Sequence, residues 1–510
     1  MAIQIIQNPF YTSGGQGRPY PIFSKQRVIY GVNQTSDMSA NFKFRLILKI
    51  FKGTTAGTLV ATIKQSSNGY ESSAGVDFRS FFDIKDILAS FLSFTTKDPN
   101  TTQPNVVSIH QLGQGDSTKP FGESNNVMVK FTVRGSCEFS TTQNGIPTED
   151  ASFSTNNQHF WNATFNQPPY VSQDNYAIDA DIYNTFYNPG DANKLLFSSA
   201  QIMGQVDKSY NFQTMSTSAN SIDLRENTDK IIQFVNPDDY HTITFKGLDG
   251  NAQFVRIRLY RSNGETVGSF QNSVANGGSG TVSSDDSKRV IHFGCGPANI
   301  KAQTLDNTIK TAIANNDYLY YEIALFDDGS YTTQGTKFYY FVNGIYAENK
   351  KSCNPYNPDY ITSGNLSNKN YVRLGWINNL GGWDYYNFAL VNTSTLELRN
   401  KNVKRTPSGK FTGEYYEQGD LDINTLTLGQ EVKMLMNLNT GFIDEGESRY
   451  LETLFASPLI HYIPFGVSES VSTVMIKNTT YKRQNVYNDN LQTNISFDIE
   501  FSNNQASVSR

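Results

Sequence analysis

The stretch that most constrains the fold runs from Tyr371 to Phe388 and reads YVRLGWINNLGGWDYYNF. It holds two of the chain's three tryptophans, Trp376 and Trp383, seven residues apart. Val372, Leu374 and Trp376 alternate on the way in, and Trp383, Tyr385, Tyr386 and Phe388 follow on the way out. Asn378, Asn379, Gly381 and Gly382 stand between the two runs. Paired glycines supply the positive φ a tight turn needs, and aromatic strands demand a core for their rings. The spacing predicts a β-hairpin whose turn depends on Gly382. It predicts sandwich modules before this point and a compact module after it.

Composition supports a strand-rich chain. Aromatic residues make up 13% of the 510 residues and charged residues only 17%, well below the roughly one quarter usual for globular chains. Asn, Ser, Thr and Gln fill the polar share, a mixture that suits strands and turns better than helices. The length exceeds what one core can use, so several domains are expected. We expect a mainly β, multi-domain chain of immunoglobulin-like or jelly-roll-like β-sandwich modules with a few short helices. The expected spans are 1–165 for an N-terminal β-rich domain, 166–350 for a middle β-sandwich, and 351–510 for a C-terminal β-rich domain with a short helix.

The net charge of −5 supplies no global basic field for nucleic acid or an anionic membrane. No run approaches the roughly 18 apolar residues of a membrane span, and residues 1–13 carry neither the basic start nor the apolar core of a signal peptide. Cys137, Cys295 and Cys353 are widely spaced and odd in number, which fits a reducing compartment and inert thiols.

Along the chain, Phe42, Phe44, Leu46, Leu48 and Ile50 alternate with Lys43, Arg45 and Lys49, the mark of a half-buried strand. Residues 59–64 and 127–133 predict further strands. Asp83 is placed to cap a helix over 83–94, with Ile84, Ile87, Leu88, Phe91 and Leu92 on one face. Residues 95–125, 136–160 and 262–288 read as long loops. Residues 243–245 and 254–261 predict a hairpin around Asp249-Gly250, and 318–326 with 338–342 another. A helix is expected over 298–315. Short strands are expected over 389–442, then a helix opened by Asp444 with Tyr450, Leu451, Leu454 and Phe455 inward, and closing strands over 471–477 and 492–501.

Trp376, Asn378, Gly381, Gly382, Asp384 and Phe388 stand in the order W-x-N-x-x-G-G-x-D-x-x-x-F. This spacing resembles a signature of virion structural proteins of Bacteroidetes-infecting tailed phages, the podovirus-type crAss-like phages among them. The opening IIQNPF with NFKFRLILKIF, and the late YLETLFASPLIHYI with its closing strand pair, resemble the two ends of the same family. The likeness spans most of the chain. It implies a structural protein of the tail or portal-proximal collar, made in the bacterial host cytoplasm and residing in the virion. The implied partners are other copies of itself in a cyclic homo-oligomer, a dodecamer being one symmetry such a ring can take, and neighbouring tail, portal or fibre proteins. No catalytic residue comes with the resemblance.

The motifs that could carry chemistry point the same way. The histidines at 110, 159, 241, 292 and 461 fall in no zinc-binding spacing, and no nucleophile elbow or phosphate-binding loop occurs. Gly294-Cys295-Gly296-Pro297 reads as a turn with an inert thiol, since a reactive one needs an electropositive partner. Asp420-x-Asp422-x-Asn424 with Glu431 matches the acidic positions of a calcium loop, but Thr425 stands where the turn needs glycine and the leucines between suit a strand. No catalytic, cofactor-binding or metal-binding residues are expected, and the chain is read as a non-enzyme. The motif Trp376, Asn378, Gly381, Gly382, Trp383, Asp384 and Phe388 is read as structural, and the aromatic excess as core or subunit contact. A tail fibre or receptor-binding protein recognising host surface glycan is the alternative.

Overall fold

A computed structural model of the chain describes residues 3–7, 22–24, 27–36, 38, 40–53, 57–72, 75–96, 108–114, 117, 120–124, 127–161, 230–235, 239–246, 254–261, 265–273, 290–303, 307–315, 317–318, 320–326, 337–342, 372–378, 381–388, 393–404, 409–417, 425–443, 445–464, 471–477 and 493–502. The fold is mainly β, multi-domain and sandwich-like. Two compact units emerge. Unit 1 takes Met1–Val342 and Ile377–Asp384, and unit 2 takes Asn343–Trp376 and Tyr385–Arg510. Among the described residues no helix is long and apolar enough to cross a membrane.

Unit 1 opens with β1 (Ile3–Gln7), β2 (Ile22–Phe23), β3 (Ile29–Gln34), β4 (Phe42–Lys52), β5 (Thr58–Gln65), β6 (Asn68–Ser72) and β7 (Gly75–Asp83). After α1 (Lys85–Ala89) come β8 (Phe121–Ser124), β9 (Met128–Ser140), β10 (Thr148–Glu149) and β11 (Ser154–Trp161). Two sheets form, one ordered β1-β3-β7-β6 and one ordered β2-β11-β9-β4-β5 with β10 paired to β9. One core joins them: Tyr30, Val32 and Phe82 from the first sheet meet Leu46, Leu48, Ile50, Phe131 and Val133 from the second. In β4, Leu46, Leu48 and Ile50 are buried as the alternation predicts, and Ile47 on the opposite face is buried as well. Phe42 departs from it and is exposed, because Lys43 takes φ 56° and the register against β9 shifts between Phe42 and Arg45.

The helix expected over 83–94 is shorter than its apolar spacing suggests. Ser90 donates its hydroxyl hydrogen to the Ile87 carbonyl at 2.7 Å, which competes with continued helix bonding. Asp83 does fasten the start, its Oδ1 accepting from the backbone N–H of Lys85 at 3.1 Å and of Val28 at 3.2 Å. The loop expected over 136–160 is largely strand. β9 runs on to Ser140, and β11 pairs with it without interruption from Ser154 opposite Gly135 to Trp161 opposite Met128.

The rest of unit 1 holds β12 (Lys230–Val235), β13 (Thr242–Lys246), β14 (Phe254–Tyr260), β15 (Thr266–Ser273), β16 (Val290–Gly294), α2 (Pro297–Ala302), α3 (Asn307–Ala314), β17 (Tyr320–Phe326) and β18 (Lys337–Val342). The hairpin expected from β13 and β14 does not form. β13 pairs with β16, whereas β14 lies between β15 and β17 in another sheet, ordered β12-β18-β17-β14-β15. The β17–β18 pair does form, antiparallel, with Tyr320 opposite Phe341. β15 occupies part of the expected loop 262–288, and β8 part of 95–125. β8 joins the sheet ordered β13-β16-β8, so the expected spans 1–165 and 166–350 share a sheet.

Unit 2 is organised on a seven-stranded sheet, ordered β20-β19-β25-β26-β27-β24-β21. Its strands are β19 (Val372–Ile377), β20 (Trp383–Phe388), β21 (Thr393–Lys404), β24 (Thr425–Ile443), β25 (Ile460–Tyr462), β26 (Ser472–Ile476) and β27 (Thr493–Phe501). A small pair, β22 (Lys410–Thr412) and β23 (Tyr415–Glu417), lies between β21 and β24 in the chain. The run of short strands expected over 389–442 is thus mostly two long ones. The helix α4 (Glu445–Phe455) buries Tyr450, Leu451 and Leu454, as its spacing predicts, and Phe455 meets Phe497 of β27 edge-on at 5.0 Å. Asp444, expected as its cap, lies outside the described residues.

Candidate functional site

The sequence motif closes on itself through Asn378. Its backbone N–H donates to the Gly382 carbonyl at 2.9 Å, and its own carbonyl accepts from Gly381 N–H at 3.1 Å. Its side-chain Oδ1 accepts from Gly382 N–H at 3.0 Å while Nδ2 donates to Asp384 Oδ2 at 2.9 Å. Asparagine suits the place because it carries both an acceptor and a donor on a short stem. Gly381 has φ 83°, a conformation that L side chains rarely adopt. The glycine with positive φ is therefore Gly381 and not Gly382, which instead donates to Asn378.

Within unit 1, Trp383 is 2% exposed and meets the His110 ring edge-on at 4.4 Å. Within unit 2, Trp376 is fully buried; its Nε1–H donates to Thr453 Oγ1 at 2.9 Å and its ring lies 5.2 Å from Tyr450. Phe388 meets Phe497 edge-on at 5.3 Å. β20 is an outer strand of its sheet, and such a strand leaves backbone groups in want of partners. The Tyr450 hydroxyl supplies them at Tyr385, accepting from its N–H at 3.1 Å and donating to its carbonyl at 3.0 Å. Arg373, 1% exposed, donates to Asn387 Oδ1 at 2.7 Å. So the structure brings Asn378, Gly381, Gly382 and Asp384 together as one turn, and buries Trp376, Trp383 and Phe388.

A second polar knot sits in unit 1 around Asn299 of α2, which sequence reasoning missed. Its Oδ1 accepts from His241 N–H at 2.9 Å and Gly296 N–H at 3.2 Å. Its Nδ2 donates to the carbonyls of His110 and Leu112, both at 2.9 Å. The whole hydrogen-bonding capacity of a buried amide is thereby used. Gln303 adds a bond from Nε2 to the Gly294 carbonyl at 2.6 Å. A side chain on Gly296 would put its Cβ 2.4 Å from the Asp239 carbonyl oxygen, which explains the glycine of the Gly294-Cys295-Gly296-Pro297 turn. Pro297 at the first helical position marks the helix start in sequence. That start was the available signal for Asn299, two residues on.

Burial holds three titratable groups in one state. Burial pushes the His292 pKa down to about 3 and that of His461 down to about 4. Burial, followed by the charge of Asp150, raises the Cys137 thiol to about 11, so it stays protonated. Cys295 is buried too. Cys353 lies outside the described residues, as do Asp420, Asp422 and Asn424, while Glu431 lies on β24. Among the described residues no three His, Cys, Asp or Glu side chains converge as a metal site. The arrangement fixes a turn through Asn378 and a junction of strands through Asn299. Compared with known proteins, the chain matches no family model and no curated protein.

Proposed function

We propose that this chain is a non-catalytic structural component of a tailed-phage virion. It forms an oligomeric ring in the tail or portal-proximal collar by binding copies of itself and neighbouring virion proteins. The observation that carries this reading is the use of the motif residues. Those that resemble the family signature, from Trp376 to Phe388, serve as turn, seat and hydrogen-bond frame. A ring fits such a chain because heterologous contacts between identical subunits close into cycles. Electron microscopy of purified protein and of intact particles tests the reading. Cyclic oligomers, and the same density in the tail or collar, are expected; a monomer absent from particles overturns it.

One observation favours a second reading, a fibre or receptor-binding protein. Tyr415 and Tyr416 stand exposed at successive positions of β23, on opposite faces of the strand, and Tyr415, the more open, offers a ring for stacking on sugar. A glycan array decides it: a specific hit lost in Tyr415→Ala would move the function to host recognition.

A further inference from the structure

Residues 377–384 count with unit 1, while the chain on both sides of them counts with unit 2. Unit 1 thus takes one of its pieces from beyond Val342. The piece is built as a plug. Asn378 bonds to Gly381, Gly382 and Asp384, so the turn is closed by bonds within itself and needs no seat to hold its shape. The strands it grows from are bonded elsewhere, Trp376 Nε1–H to Thr453 Oγ1 and the Tyr385 backbone to the Tyr450 hydroxyl. Trp383 is the plug's large buried ring.

The seat is built separately. Trp383 meets the His110 ring edge-on. His110 belongs to a turn of 3-10 helix, Ile109–Gln111, whose start is closed by Gln111 Oε1 accepting from the Ser108 N–H at 3.3 Å. Asn299 holds the carbonyls of His110 and Leu112. None of these bonds uses residues 377–384, so plug and seat are two finished surfaces carried by one chain. The chain that joins them is long. β18 ends at Val342 and β19 starts at Val372, and a segment of that length reaches up to about 100 Å. The contact uses the same atoms whether it closes within one copy or between two. The two forms differ only in how often plug and seat meet, and the effective concentration of a chain's own plug falls as the joining segment lengthens. Exchange of an identical element between copies costs little for this reason. A buried tryptophan is also the kind of anchor that dominates an interface.

We propose that residues 377–384 of one copy seat in unit 1 of a second copy, with Trp383 against that copy's His110. The proposal rests on the self-association read above and names its contact. Plug and seat are different surfaces, so the contact is heterologous, and passed from copy to copy it closes a ring.

The test uses two variants of the full chain, Trp383→Ala with a broken plug and His110→Asp with a broken seat. Each is purified alone and after co-expression under different tags, with sedimentation and a thermal melt. Alone, each is expected to be a monomer. Together they should co-purify as pairs, because the intact turn of the His110→Asp chain fits the intact seat of the Trp383→Ala chain. A photo-reactive phenylalanine in place of His110 gives a second reading in a chain that keeps its own plug. Illumination of its oligomer should join two chains, with the new bond mapped to the peptide that contains Trp383. Should either variant fail to fold, this crosslink decides. Oligomers of either variant alone, folded variants that stay apart when co-expressed, or a crosslink closed within one chain overturn the exchange and leave the ring reading standing. A parent that stays monomeric at every concentration overturns both.

Discussion

Two residues carry more of this structure than their size suggests. Gly381 holds φ 83° at the tip of the tryptophan turn, so Gly381→Ala is expected to cost about 1 kcal/mol or more through backbone strain. Gly382→Ala carries no such strain term and should lower the melting temperature less; equal losses would place the turn wrongly. Asn299 is the other. Asn299→Ala takes the side-chain partner from the His241 N–H and from the His110 and Leu112 carbonyls, while Gly296 N–H keeps the His241 carbonyl at 3.1 Å; an orphaned buried group costs about 1–3 kcal/mol. A loss of at least about 3 kcal/mol is expected in denaturant unfolding, large enough to separate a saturated junction from a solvated one. The motif around Gly381 was legible because glycine and tryptophan are conspicuous in sequence. Asn299 was not, because its four partners come from segments near residues 110, 241 and 296, and sequence spacing says nothing of such convergence.

At the scale of elements, one-sided alternation was readable and long-range pairing was not. β17, β18, β27 and the apolar side of α4 announce themselves through Tyr, Phe, Ile and Leu at strand or helix spacing. β11 does not, since Ser154, Thr155, Asn156, Asn157 and Gln158 look like loop until β9 is beside them. β13 and β14 looked like one hairpin because a turn dipeptide separates them, yet each found a distant partner. The β13–β16 pair makes a further prediction. Buried His292 contacts Thr244 Oγ1 through Nδ1 at 3.0 Å and is held neutral, with its pKa lowered from 6.5 to about 3 by burial. Between those two values the unfolded chain binds a proton that the folded chain refuses, so stability falls as pH falls through that window. The slope is at most about 1.4 kcal/mol per pH unit from this group. His292→Gln should flatten that portion of a melting-versus-pH curve for unit 1; an unaltered curve would deny the burial its effect.

At the scale of the whole molecule, nearness along the chain is a poor guide to membership. Ile377–Asp384 group with unit 1, although the residues on either side of them group with unit 2. The physical content of that grouping within unit 1 is the seat of Trp383 against His110. His110 in turn lends its carbonyl to Asn299, so the tryptophan stands one residue away from the junction that ties β13, β16 and α2. Unit 1 is therefore incomplete at Val342. A fragment of residues 1–342 is expected to exchange the amide hydrogens of β13, β16 and Ile109–Gln111 faster than the full chain does. Full-length Trp383→Ala should reproduce the same local change, with a cost of about 3–5 kcal/mol for the emptied seat. Matching exchange in the fragment and the full chain would mean that the tryptophan turn adds nothing to unit 1, and that its likeness to the family signature has some other physical basis.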